Sequence, residues 1–308
     1  MIQLPPSAVE GGAVHAVKAG RPSCAPAEMK ADLHMHSTFS DGSKTPAELC
    51  RMAKKAHVSV LSLTDHDTAA GQAELQQAAA ACGGLTVIPG VEVSTGADGK
   101  VHVLGYGPAI HCDEMTAFLK RTASDRVQRA AKILDLLAAQ GISITQQQRG
   151  QLLQNPNVGR PHIARTLVEL GVVSTVRQAF DQYLVQGRCA YVARDLPSTA
   201  EAIRTMREFG AVPVLAHPLE MGHDLPTLTA LLHEWKVCGL MGLEAYHTSA
   251  NARSARQLDA LGRSMQLLIT GGSDYHGDAG STAHIGRLPS GWSSCARDID
   301  ALLQATHM

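Results

Sequence analysis

His34 and His36, one residue apart and followed five residues later by Asp41, have a spacing suited to metal binding. In an extended strand, side chains i and i+2 point to the same side. The two imidazoles can therefore converge on one ion if Asp32-Leu33-His34 ends a strand, with Asp41 in the next loop and in reach of the same pocket. Groups of the same chemistry recur along the chain: Asp65-His66-Asp67, Glu92, His102, His217, Glu244 with His247, and Asp274 with His276. Each lies in or just after an apolar, strand-like run. In open α/β sheets and α/β barrels the active site lies at the carboxyl ends of the strands, so scattered positions become neighbours in space. Imidazole and carboxylate without thiolate favour manganese, zinc or iron over magnesium or calcium. Ions grouped in this way lower the pKa of water from about 15.7 to about 7, polarise phosphoryl oxygens and steady a leaving oxygen. No serine or cysteine nucleophile is then required, and no G-x-S-x-G stands in the chain.

The elements that must position these residues alternate. Thr45, Pro46 and Glu48 read as N-cap, first helical residue and capping-box partner. Strands are predicted over 58–64, 85–93 and 101–106, with a helix of strong formers over 72–81. The pattern changes to helix upon helix between 113 and 197, with helices predicted over 115–140 and 161–170 and a weak strand at Tyr191-Val192. Alternation returns with a helix over 200–209 and strands over 212–216, 240–245 and 266–270. The order predicts a flexible extension (1–29), a discontinuous α/β domain (30–112 and 198–290) forming a largely parallel sheet or barrel, an inserted helical subdomain (113–197) and a C-terminal helix or tail (291–308).

The chain has 308 residues and is 44% hydrophobic, enough for one large α/β domain with an insertion. A net charge of -1 argues against a surface that coats extended duplex nucleic acid. Seven widely spaced cysteines without a C-x-x-C pair suggest reduced thiols and a cytoplasmic location. The leader carries Pro5, Pro6, Pro22 and Pro26 and no secretory pattern, and no apolar run is long enough to span a bilayer.

Five segments stand in order: D-L-H-M-H-S-T-F-S-D-G from Asp32, L-T-D-H-D-T from Leu63, G-V-E-V-S from Gly90, V-L-A-H-P from Val214 and G-S-D-Y-H from Gly272. Together they resemble the PHP (polymerase and histidinol phosphatase) family. The resemblance implies a distorted seven-stranded (β/α) barrel with a two- or three-metal phosphoesterase site. It further implies that His34, His36, Glu92 and Asp274 hold one ion, that Glu92 bridges to a second held by His102 and His217, and that Asp41, His66 and His276 hold a third. The expected cofactors are two or three divalent ions, manganese before zinc or iron. Asp65 and Asp67 are expected either to orient ligand imidazoles or to protonate the leaving group.

The insert, with Val158-Gly159-Arg160-Pro161-His162-Ile163-Ala164 and Tyr191-Val192, resembles the subgroup of nucleoside 3′,5′-bisphosphate phosphatases and a related 5′-to-3′ exoribonuclease. Pro161 fits a first helical turn, so Arg160 and His162 stand beside backbone N–H groups that favour phosphate. Arg160, whose fork matches phosphate oxygens, is expected to clamp a second phosphate, with His162, His247 and Asn251 as further substrate contacts. The expected activity is removal of the 3′-phosphate from a nucleoside 3′,5′-bisphosphate. Shortening of RNA from its 5′ end, histidinol phosphate hydrolysis and a non-catalytic metal-binding module are the alternatives. The expected partners are a small nucleotide or short oligonucleotide, with no membrane.

Overall fold

The computed structural model describes residues 29–96, 99–123, 126–277, 282–289, 292 and 296–306. The extension predicted over 1–29 lies outside the described residues apart from Met29.

Three short parallel strands, β1 (Ala31–Asp32), β2 (Val60–Leu61) and β3 (Thr86–Val87), form one sheet. Helices α1 (Pro46–Lys55) and α2 (Gln72–Cys82) connect them. Thr45 caps α1 with Glu48 as its reciprocal partner, as the sequence predicts. The second sheet runs in the order β4 (Gly90–Thr95), β5 (Val101–Tyr106), β6 (Val212–Leu215), β7 (Gly242–His247), β8 (Leu268–Gly272). Pairs β6–β7 and β7–β8 are parallel, but β5 runs antiparallel to both β4 and β6. The β4–β5 link explains its own direction: five residues cannot make a parallel crossover, which needs about a dozen or more.

The fold is α/β, but the described residues form eight short strands in sheets of three and five instead of the expected seven-stranded barrel. Backbone bonds do join the two sheets at both seams. At one, Leu33 N–H donates to Gly271 (3.1 Å), Asp274 N–H to His34 (2.8 Å) and His36 N–H to Tyr275 (3.0 Å). At the other, Asp67 N–H donates to Glu92 (2.8 Å). Continuous ladders stop there because Asp67 (φ 54°) and Asp274 (φ 51°) turn into left-handed backbone. The Gln72 carboxamide also enters the second seam, donating to Leu63 (2.6 Å) and Gly90 (2.7 Å) carbonyls.

The helices after β5 divide into two groups. Met115, Phe118 and Leu119 of α3 (Asp113–Ala123) pack into the core of the five-stranded sheet. The segment from α4 (Arg126–Ala139) through α5 (Gln146–Gln154), α6 (Arg160–Glu169) and α7 (Val176–Ala179) to a π-helical turn (Phe180–Leu184) has a separate core of Ile133, Leu137, Ile163, Leu167 and Leu184. No strand forms at Tyr191-Val192; the Val192 carbonyl accepts from Arg129 Nε instead (2.7 Å). Helices α8 (Thr199–Glu208), α9 (Leu225–Val237), α10 (Ala252–Ser264) and α11 (Ala296–Ala305) complete the chain. No helix among the described residues is long and apolar enough to cross a membrane.

Candidate metal centre

The seam between β1 and β8 delivers the first ligands. Asp32 is fully buried and pins this seam, accepting from Ser273 N–H and Gly286 N–H (both 2.8 Å). Gly272 passes so close to His34 that a Cβ there would meet the His34 Cβ at 2.1 Å, which explains the G-S-D start of the last motif. Gly42 is constrained in the same way by the His36 carbonyl, folding Asp41 back toward the histidines. His34 and His36 leave β1 on the same side, their Nε2 atoms 3.2 Å apart. Asp274 Oδ1 lies 3.4 Å from His34 Nε2 and 3.0 Å from His36 Nε2.

The β4–β5 hairpin supplies the next pair. Ser94 pairs with His102, so Glu92, two residues back on β4, is a diagonal neighbour of His102 on one face. Glu92 Oε1 lies 2.9 Å from His102 Nδ1 and 3.0 Å from His217 Nε2. Its other oxygen faces His66 Nδ1 (2.9 Å), His36 Nε2 (3.2 Å) and His34 Nε2 (3.4 Å). Asp41 Oδ1 lies 3.2 Å from His276 Nε2, and its Oδ2 lies 3.8 Å from His66 Nε2. Thus His34, His36, Asp41, His66, Glu92, His102, His217, Asp274 and His276 all meet in one cluster, with His66 standing between Glu92 and Asp41.

The donor set fits divalent ions. Glu92 Oε2, His66 Nδ1 and His247 Nε2 are buried without a hydrogen bond, although each has oppositely charged or ring atoms close by. Buried polar atoms are rarely left so, and atoms that crowd without hydrogen-bond geometry suit ligands aimed at a shared ion. Asp41, Glu92, Glu244 and Asp274 also place four carboxylates in one pocket, the first three buried and Asp274 partly so. Burial opposes charge on Glu92, but His66, His102 and His34 hold its carboxyl well below the usual range. The same opposition is overcome at Asp41 by His276 and His66, and at Asp274 by His34 and His276. Conversely, burial works against the imidazolium of His217 and His276, yet their acidic neighbours raise them to about 9 and about 10. The pocket therefore demands positive charge, which protons or metal ions can supply.

His247 stands inside this cluster rather than out with the substrate contacts. It ends β7, is 3% exposed, and its Nε2 lies 3.5 Å from Asp274 Oδ2. Glu244, two residues earlier, has a positioning role that the sequence does not reveal. Its Oε1 lies 3.0 Å from His34 Nδ1 and its Oε2 accepts the His217 backbone N–H (2.8 Å). A proton held on His34 Nδ1 leaves Nε2 to face the cluster. His217 (φ 27°) and Asp274 carry left-handed backbone immediately beside the cluster, a strain typical of functional sites.

Asp65 and Asp67 both act as fasteners in the fold. Asp65 accepts from Ser37 N–H (2.7 Å), Ser37 Oγ (2.7 Å) and Ser40 Oγ (2.6 Å), fixing the loop between His36 and Asp41. Burial pushes its pKa up, against the hydrogen bonds from Ser40 and Ser37. Burial also works against the charge on Asp67, but Arg126 and Arg194 outweigh it and hold the carboxyl at about 2. These ion pairs latch α4 and the 194 segment to the sheet.

A cavity of about 300 Å³ opens over the cluster. Asp41, His66, His102 and His217 line one side; Lys100, Arg126, Arg129, Arg160 and Arg194 line the rest, with Phe180 and Glu220. Arg160 begins α6 as expected and reaches this cavity. His162 instead seals the helix start: its Nδ1 accepts Gly159 N–H (3.1 Å), its Nε2 lies 3.3 Å from Asn155 Nδ2, and it lines a different surface pocket. Asn251 is likewise taken up by structure, its carboxamide accepting from Arg253 N–H (2.9 Å) and Ser254 N–H (3.0 Å) as the cap of α10. Arg126, Arg129 and Arg194 were missed. Their signal was weak: Arg126 and Arg129 share one face of α4 at spacing i, i+3, a pattern equally common on solvated helices.

Comparison with known proteins agrees with this geometry. The PHP domain model matches residues 32–112. A Haemophilus influenzae protein named 5′-3′ exoribonuclease is 34% identical over 272 residues, covering 88% of this chain and 94% of that one. A Chromobacterium violaceum 3′,5′-nucleoside bisphosphate phosphatase is 32% identical over 277 residues, covering 88% and 96%. A Bifidobacterium adolescentis structure, provisionally described as a metal-dependent phosphoesterase, superposes with a TM-score of 0.78 at 28% identity, covering 91% and 97%. The chain belongs to the PHP family and is a metal-dependent phosphoesterase.

Proposed function

We propose that this phosphoesterase removes the 3′-phosphate from a nucleoside 3′,5′-bisphosphate. The observation that carries the reading is the cavity itself, which joins a carboxylate–imidazole cluster to a wall of five cationic side chains. One phosphate on the cluster would need no such wall; a ligand with a second phosphate would. Asp67 pairs with Arg126 and Arg194 of this wall. Arg160 and Arg129 donate to the phosphate that is kept, and their charge draws the dianion in.

His34, His36, Glu92 and Asp274 would hold one ion, Glu92, His102 and His217 a second, and Asp41, His66 and His276 a third, with His247 beside the first. Bound there, such ions supply a Lewis acid for the phosphoryl oxygens and a water of lowered pKa. The chain's own residues set the geometry. Glu244 keeps His34 turned toward the cluster, Asp65 holds the loop that carries Asp41, and Asp67 anchors the cationic wall at a fixed distance from the histidines.

One observation favours the exoribonuclease reading. A second cavity of about 540 Å³, lined by Asp67, Thr68, Ile110, Lys120, Val127 and Asn157, has room for a following nucleotide. Phosphate release from adenosine 3′,5′-bisphosphate and from histidinol phosphate, compared with mononucleotide release from short 5′-phosphorylated RNA, all with manganese supplied, separates these readings. The bisphosphate should show the highest kcat/KM and yield the 5′-monophosphate. Faster shortening of the RNA would overturn the first reading in favour of the second.

A further inference from the structure

The cavity contains one feature that neither ions nor phosphates explain. Among its described lining residues, the side chains are charged or polar except for Pro161 and Phe180. Phe180 is one of only four phenylalanines in the chain, and it opens a π-helical turn, Phe180–Leu184, directly after α7. Such turns are rare and often mark functional sites. The Arg160 guanidinium carbon sits 5.6 Å above the Phe180 ring, and Arg160 Nη1 reaches the Leu184 carbonyl at 3.5 Å. The turn thus fixes both the ring and the plane of the guanidinium.

A guanidinium has two kinds of surface. Its N–H groups donate in the plane, toward phosphate oxygens, while its faces stack on π systems. We propose that the Phe180–Arg160 stack is a nucleobase seat: a planar base adds as the next layer while the in-plane donors of Arg160 meet a phosphate of the same nucleotide. This rests on the nucleotide reading above and deepens it. The seat is sequence-tolerant, because every base has a π face and no base-edge donor or acceptor is invoked.

The substitution to test is Phe180→Leu, which keeps an apolar side chain against the insert's core, with Phe180→Trp as the restoring control. Two ligand pairs are compared: adenosine 3′,5′-bisphosphate against its abasic counterpart in turnover, and adenosine 5′-monophosphate against ribose 5-phosphate in calorimetric binding. The wild type should favour the base-bearing member of each pair by roughly five- to a hundredfold. Phe180→Leu should erase that preference through KM and affinity, leave the abasic ligands alone, and regain it as Phe180→Trp. Equal binding of the base-bearing and base-free monophosphates by the wild type overturns the seat, as does an equal loss on both members in Phe180→Leu. If neither bisphosphate is hydrolysed, the substrate reading fails, and the binding pair still decides the seat.

Discussion

The strand-end cluster and the helical segment from α4 to the π turn face the same cavity but are built on different rules. Cluster residues are short-reach side chains fixed by backbone: a seam residue, a hairpin diagonal, a left-handed turn. Most are nearly fully buried, and their positions follow from the paths of β1, β4, β5, β6 and β8. The cations come on long side chains from helices that have a core of their own, joined to the sheet through Asp67. The comparison teaches that chemistry here is tied to the sheet and recognition to an attached unit, so each should be breakable without the other.

The largest effect should come from the cluster. Glu92→Ala should abolish turnover, since Glu92 touches five histidines, and Asp274→Ala should be severe but milder in ion content. Phosphate release together with elemental analysis checks both; a tenth of wild-type turnover with full ion content would remove Glu92 from the ligand set. The joint between the two regions comes next. Asp67→Asn leaves Arg126 and Arg194 buried without their carboxylate, and breaking a buried pair in this way costs about 3–5 kcal/mol. Denaturant unfolding should show that loss, while a variant as stable as the wild type would mean that the latch is not what joins the regions.

Acid–base behaviour sharpens the contrast within the cluster. His217 and His276 have folded pKa values of about 9 and about 10, above the ordinary 6.5. They bind protons more tightly when folded, so their stabilisation of the ion-free protein is complete below about pH 6.5 and is lost as pH rises through 9 to 10. Ions that replace these protons should remove that dependence. Thermal unfolding of ion-free and manganese-loaded protein from pH 6 to 10 should therefore diverge as pH rises, and parallel curves would contradict the charge balance described for the pocket.

Much of the cluster was legible because the chemistry admits few residue types. H-x-H, D-H-D and S-D-Y-H have little other use at strand ends, and His102 needed only the short hairpin after Glu92 to reach it. The sheet arrangement was less legible. Apolar runs such as 85–93 read as single strands, whereas Ile88 and Pro89 separate β3 from β4, and nothing in the pattern marks Gln72 as a seam-filling carboxamide. Residues with two plausible uses are the hardest to read: His162 and Asn251 sit at helix starts, where capping and phosphate binding require the same donors and acceptors. The cationic wall was hidden for the opposite reason, since arginines on amphipathic helices are ordinary until the fold shows where they point.

The division of labour between the two regions is tested most directly by Arg160→Ala, with kcat/KM measured on adenosine 3′,5′-bisphosphate and on a simple aryl phosphate, and ion content measured on both proteins. A lost charge-assisted contact is worth roughly 1.5–3 kcal/mol, or about ten- to a hundredfold. That loss should fall on the bisphosphate alone, with ion content unchanged. An equal loss on both substrates, or a loss of ions, would mean that Arg160 serves the cluster itself and that recognition is not separable from chemistry in this protein.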